Sequence, residues 1–129
     1  MSQSQEDLLR NSDVVCLHIH LTNDNYDYFG SKEFDQMKDG SFFLNTSRGG
    51  LLDEDALIRA LKTKKISAAA LDVIKGEQNT NLNDHPLIKY ARSNENLIIT
   101  PHIAGLTIDS QGKAAEFALK QVDKFFRSL

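Results

Sequence analysis

Arg48, Glu77 and His102 are the residues of this chain best suited to chemistry, because each lies just past a short apolar run. The runs are Phe42-Phe43-Leu44-Asn45, Ala69-Ala70-Leu71-Asp72-Val73 and Leu97-Ile98-Ile99-Thr100. In an open α/β sheet, ligands bind beyond the carboxyl ends of parallel strands, so three successive strands would bring these side chains to one cleft. Arg48 precedes Gly49-Gly50, where the backbone can approach a ligand while the guanidinium offers a planar fork to a carboxylate. His102, in Thr100-Pro101-His102-Ile103-Ala104-Gly105, can exchange a proton near neutral pH, and a carboxylate at Glu77 could orient the imidazole and favour its charged form. Taken singly, each is an ordinary surface or structural residue; their company makes an anion-binding and acid/base set.

Asp72 ends an apolar run, an awkward place for a carboxylate without donors. A ligand amide or hydroxyl would serve, and so would the amides of a neighbouring loop. His18 and His20 alternate along a strand and share a face, but no third ligand has plausible spacing for a metal. His85 before Pro86 reads as a turn residue. None of the seven glycines forms a Gly-x-Gly-x-x-Gly loop, and there is no Gly-x-Ser-x-Gly or Cys/His nucleophile arrangement.

The elements that must position these residues follow from periodicity and punctuation. Asp13 to His20 reads as a strand, its core Val14 to Leu17 continuous in apolar character, as expected when both faces of a sheet are covered. The polar lead before it carries no predicted element. Leu21 to Tyr28 reads as a loop, and Ser31 can cap a short helix through Met37 that Asp39-Gly40 closes. After the strand beginning at Ser41, Asp53 caps a helix. Its acidic first turn, Glu54 and Asp55, and basic end, Lys62, Lys64 and Lys65, suit the helix dipole. Leu52, Ala56, Leu57, Ala60 and Leu61 give that helix one apolar stripe. Ala68 to Val73 is the third strand, Ile74 to Asp84 a loop, Pro86 to Ala91 a short segment and Asn96 to Thr100 the fourth strand. From Thr107 onward, Ala114, Ala118, Val122 and Phe125 mark an amphipathic carboxy-terminal helix.

Strands alternating with helices argue for a parallel sheet of the doubly wound α/β kind. At 129 residues the chain fits one domain, residues 1–129, large enough to hold a core without disulfides or metal. A net charge of -3, with 40% hydrophobic and 26% charged residues, gives no field to draw nucleic acid or anionic lipid. The lone Cys16 reads as a small buried hydrophobe, and no apolar run approaches the roughly 18 residues of a membrane span. A reducing, cytoplasmic setting is expected.

Asn45-Thr46-Ser47-Arg48-Gly49-Gly50, Ala70-Leu71-Asp72-Val73 with Glu77, and Thr100-Pro101-His102-Ile103-Ala104-Gly105 resemble, in order and spacing, the signature blocks of the NAD-dependent D-2-hydroxyacid dehydrogenases. The branch they look most like oxidises 3-phosphoglycerate in serine biosynthesis. The resemblance spans nearly the whole chain. It implies that Arg48 holds the substrate carboxylate and carbonyl oxygen, that His102 exchanges the hydroxyl proton and that Glu77 orients His102. Asp72 would accept from the nicotinamide carboxamide, while Thr22, Thr46, Ser47, Ala104 and Gly105, beside Arg48 and His102, would line the NAD pocket.

The chain departs from the family in having His20 and Gln78 where prolines are usual, and in lacking the glycine-rich loop and substrate domain. It corresponds to the second half of a Rossmann-type dinucleotide-binding domain, so weak NAD binding and no activity alone are expected. The first strand would lie at a sheet edge without its neighbour, which predicts self-association, as a homodimer, through that edge or through the last helix. A non-enzymatic interaction or regulatory module derived from a dehydrogenase is the alternative.

Overall fold

The computed structural model describes residues 4–79 and 81–127. Its core is a sheet of four parallel strands, β1 (Val14–Leu17), β2 (Ser41–Asn45), β3 (Ile66–Leu71) and β4 (Leu97–Ile99), in the order β1-β2-β3-β4. Parallel neighbours need crossovers, and helices supply them. Asn23–Asn25 (a 3₁₀ turn) and α2 (Ser31–Gln36) join β1 to β2; Gly49–Leu51 (a second 3₁₀ turn) and α3 (Glu54–Lys62) join β2 to β3; α4 (Pro86–Ser93) joins β3 to β4. Because every neighbouring pair is parallel, all four carboxyl ends open at one end of the sheet.

Local chemistry explains the helices. Asp53 caps α3 by accepting from the Ala56 amide at 3.0 Å, as its charge pattern predicts. At α2 the cap falls on Gly30, not Ser31: the Glu33 carboxylate reaches back to the Gly30 amide at 3.0 Å. An additional helix, α1 (Gln5–Asn11), occupies the polar lead; Ser4 Oγ accepts from the Asp7 amide at 3.1 Å, and Leu9 is buried. β3 begins at Ile66, earlier than its composition suggests, because Lys64 (φ +59°) turns the chain straight out of α3.

The helices α1 to α4 pack on one face of the sheet. There Phe29, Phe34 and Phe43 interlock with ring centroids 4.8 to 5.2 Å apart, and Leu51, Leu52, Leu57, Ile66 and Leu71 complete a buried apolar core. None of the described helices covers the opposite face. Strand register puts Val14 beside Phe42 and Ala68, and Cys16 beside Leu44, Ala70 and Ile98, on that side. Val14 is 51% exposed, Phe42 47% and Ile98 61%.

Two expectations are corrected here. β1 does not have both faces covered but alternates exposed and buried, and Cys16, expected inside, is exposed, because every packed helix lies on the other side. The last helix, α5 (Ile108–Phe126), has the amphipathic pattern read from the sequence and a cap at Thr107, yet it buries none of its residues. Among the described residues no helix is long and apolar enough to cross a membrane.

Candidate active site

The site is assembled at the carboxyl ends of β2, β3 and β4. Asn45, the last residue of β2, is fully buried and organises the turn after it: its Nδ2 donates to the Arg48 carbonyl at 3.0 Å, and its Oδ1 accepts from the Ser47 amide at 3.0 Å and the Ser47 hydroxyl at 2.9 Å. A buried amide satisfied on both ends fixes the loop that presents Arg48. The Arg48 guanidinium is exposed, with Nη1 donating to the Ser47 carbonyl at 2.7 Å.

Glu77 follows β3 in a loop folded onto itself. One carboxylate oxygen accepts from the Ile74 amide at 3.2 Å, and the other lies 2.6 Å from His102 Nδ1. A carboxylate only accepts, so Nδ1 carries the proton and Nε2 is the nitrogen left for exchange with a ligand. The pair is partly desolvated, with the His102 side chain 43% and the Glu77 side chain 22% exposed.

His102 has φ +54°, a conformation that costs a non-glycine residue about 1–3 kcal/mol unless its surroundings enforce it. Asp72 does so from beneath. Its buried carboxylate accepts from Thr100 Oγ1 at 2.5 Å, the Ile103 amide at 3.0 Å and the Ala104 amide at 2.9 Å, bracketing His102 on both sides. Burial pushes this carboxyl up, but the Thr100 hydroxyl and the two amides outweigh burial and hold it below its ordinary 3.8. Of the two readings open for Asp72, the donors of a neighbouring loop are the ones it meets here.

Two hollows share Glu77 as a wall. A small one of about 200 Å³ is lined by Arg48, Gly49, Gly50, Tyr26, Lys75 and Glu77. A larger, mainly apolar one of about 880 Å³ lies on the His102 side, against Ile74, Leu82, Ile88, Ile99 and Leu106. Lys75 in the small hollow pairs with Asp27 and lies 5.0 Å from the Tyr26 ring centroid, which leaves Arg48, among the described residues, as the cation there without a carboxylate partner.

The remaining expected residues are more dispersed. Gly105 lines the large hollow with His102, whereas Thr22, Thr46, Ser47 and Ala104 line neither. Thr22 caps the first 3₁₀ turn, its amide donating to Asn25 Oδ1 at 2.7 Å. His18 and His20 are exposed, and no group of three or more His, Cys, Asp or Glu able to hold a metal occurs among the described residues. Sequence reasoning missed the organising role of Asn45; His85 does close a turn, its amide donating to the Leu82 carbonyl at 3.0 Å, and its side chain also packs against Glu54, a contact no local signal announced.

The donor set fits one end of a dinucleotide. Arg48 and the Glu77–His102 pair suit a small acid beside a nicotinamide, but the helix starts do not suit a pyrophosphate. Acidic residues fill the first turns of α1, α2, α3 and α5, and α4 begins with Pro86. An anion at a helix N-terminus needs free amides and no competing carboxylate.

Residues 1–104 match the family described as D-isomer specific 2-hydroxyacid dehydrogenase, NAD binding domain. The chain belongs to this family. A D-specific alpha-keto acid dehydrogenase of Enterococcus faecalis is 37% identical over 131 residues, covering 96% of this chain and 41% of that protein. A D-3-phosphoglycerate dehydrogenase of Archaeoglobus fulgidus is 41% identical over 104 residues, 81% of this chain and 19% of that protein. Among solved structures, the D-lactate dehydrogenase of Aquifex aeolicus complexed with NAD and lactic acid superposes with a TM-score of 0.74 at 34% identity, covering 98% of this chain and 40% of that one. The chain thus spans about two fifths or less of these dehydrogenases, and the fold expected from the resemblance is the one observed.

Proposed function

We propose that this chain forms the nicotinamide- and substrate-facing wall of an NAD-dependent dehydrogenase acting on a D-2-hydroxy acid. The observation that carries the reading is the 2.6 Å contact between Glu77 and His102, made with Nδ1 and so leaving Nε2 for a substrate oxygen, beside a hollow whose unpaired cation is Arg48. NAD, when bound, takes or supplies the hydride. Arg48 grips the substrate carboxylate through its planar fork and polarises the adjacent carbonyl. In the reducing direction, the His102 imidazolium gives the Nε2 proton to the developing alkoxide; in the oxidising direction, neutral Nε2 takes it from the hydroxyl. Glu77 stabilises the charged ring and keeps its orientation.

Thr46, Ser47 and the Ala104-Gly105 backbone are the positions we assign to the edge of the cofactor pocket, with Thr22 more remote. With no pyrophosphate cradle in the described helix starts, the chain alone binds NAD weakly and does not turn over. The finer assignment to 3-phosphoglycerate and serine biosynthesis is supported by the 41% identity with the Archaeoglobus enzyme. Among the described residues the small hollow offers Arg48 to a carboxylate, while its other cation, Lys75, is engaged by Asp27, so the acid itself is chosen by groups elsewhere.

The test is a titration of the isotopically labelled chain with nicotinamide mononucleotide and a 2-oxo acid at millimolar concentration, followed by NMR. Shifts confined to Arg48, Glu77, His102 and their loops are expected. Shifts confined to the sheet face or α5 would refute the assignment.

A second reading, a self-associating interaction module, is favoured by one specific observation: the bare sheet face and the stripe of α5 both expose large apolar side chains, among them Phe42, Ile98, Phe117 and Phe125. Light scattering at micromolar concentration is expected to give a mass above the monomer. A monomeric mass would count against self-association, including pairing at the β1 edge.

A further inference from the structure

Outside the proposed site, the described residues contain one other contact between a buried carboxylate and an imidazole: Glu54, in the first turn of α3, against His85, the residue capping α4. Their side chains are 11% and 13% exposed. Both converge on the main chain of Lys75. Glu54 Oε1 accepts from the Lys75 amide at 2.7 Å, and His85 Nε2 lies 3.1 Å from the Lys75 carbonyl and 3.3 Å from Glu54 Oε2. Both neighbours of Nε2 are acceptors, so Nε2 carries the proton and donates. His85 Nδ1 is buried without a partner.

This arrangement is expensive for stability alone. It sinks a carboxylate and leaves a ring nitrogen unsatisfied, where apolar packing of the same volume would hold α3 to α4 at least as well. What polar partners provide is direction. They grip both the amide and the carbonyl of one residue, and that residue sits two positions before Glu77. Immediately before it, the Ile74 amide donates to Glu77 Oε2 at 3.2 Å, and Glu77 Oε1 meets His102 at 2.6 Å. The chain of contacts runs unbroken from α3 and α4 to the imidazole.

We propose that Glu54 and His85 are positioning residues, clasping the main chain of Lys75 from both sides so that the loop holds Glu77 in register with His102. The inference rests on the dehydrogenase reading of the Glu77–His102 pair, and its test separates the two.

The first readout needs no substitution. Hydrogen exchange of the wild-type chain compares the Ile74 amide, held by Glu77, with the Lys75 amide, held by Glu54. If one clasp orders both, they open together, with protection factors within about threefold of each other. Lys75 protected 100-fold or more beyond Ile74 would show that the clasp stops short of Glu77 and overturn the proposal. The second readout is the tautomer of His102, from its ring nitrogen shifts. His85→Ala is expected to lose the Nδ1–H form, while His85→Gln, whose amide can still donate to the Lys75 carbonyl, retains it. An unchanged His102 tautomer in His85→Ala with a folded core would also overturn the proposal. A wild-type His102 lacking the Nδ1–H form would refute the active-site reading instead, and the exchange comparison would still decide the clasp.

Discussion

Gly49→Ala is the substitution whose consequence can be worked most directly from the structure. A Cβ on residue 49 would lie 2.2 Å from the Ile74 carbonyl carbon, 2.4 Å from its oxygen and 2.6 Å from the Lys75 nitrogen. All three are backbone atoms, so no rotamer change relieves the clash. To reach the 3.4 Å of ordinary contact from 2.2 Å, the segment must retreat by 1.2 Å. Such overpacking costs about 1–3 kcal/mol. The retreat also stretches the 2.7 Å bond from the Lys75 amide to Glu54 and the 3.2 Å bond from the Ile74 amide to Glu77, each contributing about 1 kcal/mol. Together these give a loss of about 3–5 kcal/mol and a fall in Tm on the order of 10–20 °C for a domain of this size. Gly50→Ala is the control, since its Cβ meets the Tyr26 ring at 2.9 Å and the Leu21 side chain at 3.0 Å, which can swing aside. Thermal unfolding by circular dichroism should rank Gly49→Ala well below Gly50→Ala. Equal melting temperatures, with the Lys75 amide as protected as in wild type, would refute the claim that β2's turn and the Glu77 loop are locked by backbone contact.

Two further outcomes follow. Asp72 is held below its ordinary 3.8, so its contribution to stability is complete above that value and lost as pH falls through its lower folded value. Urea denaturation should find Asp72→Asn less stable than wild type at neutral pH, with the difference shrinking as pH drops below the ordinary value. Gly112 lies inside α5 with nothing within 4 Å of a Cβ, so Gly112→Ala should raise the helicity of α5 by about 0.5–1 kcal/mol of helix propensity without disturbing the sheet, as read by amide exchange along the helix.

The sequence made some of this legible and hid the rest for physical reasons. Arg48, Glu77 and His102 could be picked out because strand-end placement is a local signal: each follows an apolar run, and parallel topology does the converging. The α3 helix was equally readable, since Asp53, the acidic first turn and the apolar stripe all agree. Cys16 misled because a continuous apolar run implies cover on both faces, while the helices described here cover one. The α1 helix was missed although Ser4 and Asp7 carry its cap, because Leu9 is its one buried residue and no stripe announces it. His85 reads as a turn residue and is one, but its side-chain contact with Glu54 was hidden, because that partner lies on another helix far away in sequence and no periodicity links them. Asp72 stood open between ligand and loop because both present the same amide chemistry; only the fold shows the Ile103 and Ala104 amides within reach.

The central claim, that Arg48, Glu77 and His102 form the working wall of a dehydrogenase, is tested most directly by transplantation. This chain would replace the matching segment of the Aquifex aeolicus D-lactate dehydrogenase, which it covers over 98% of its own length, and NADH loss would be followed with pyruvate. The account predicts a chimera that turns over and loses about 10²–10⁴-fold in kcat when His102 is replaced by Gln. A folded chimera that binds NADH but is indifferent to His102→Gln would contradict it.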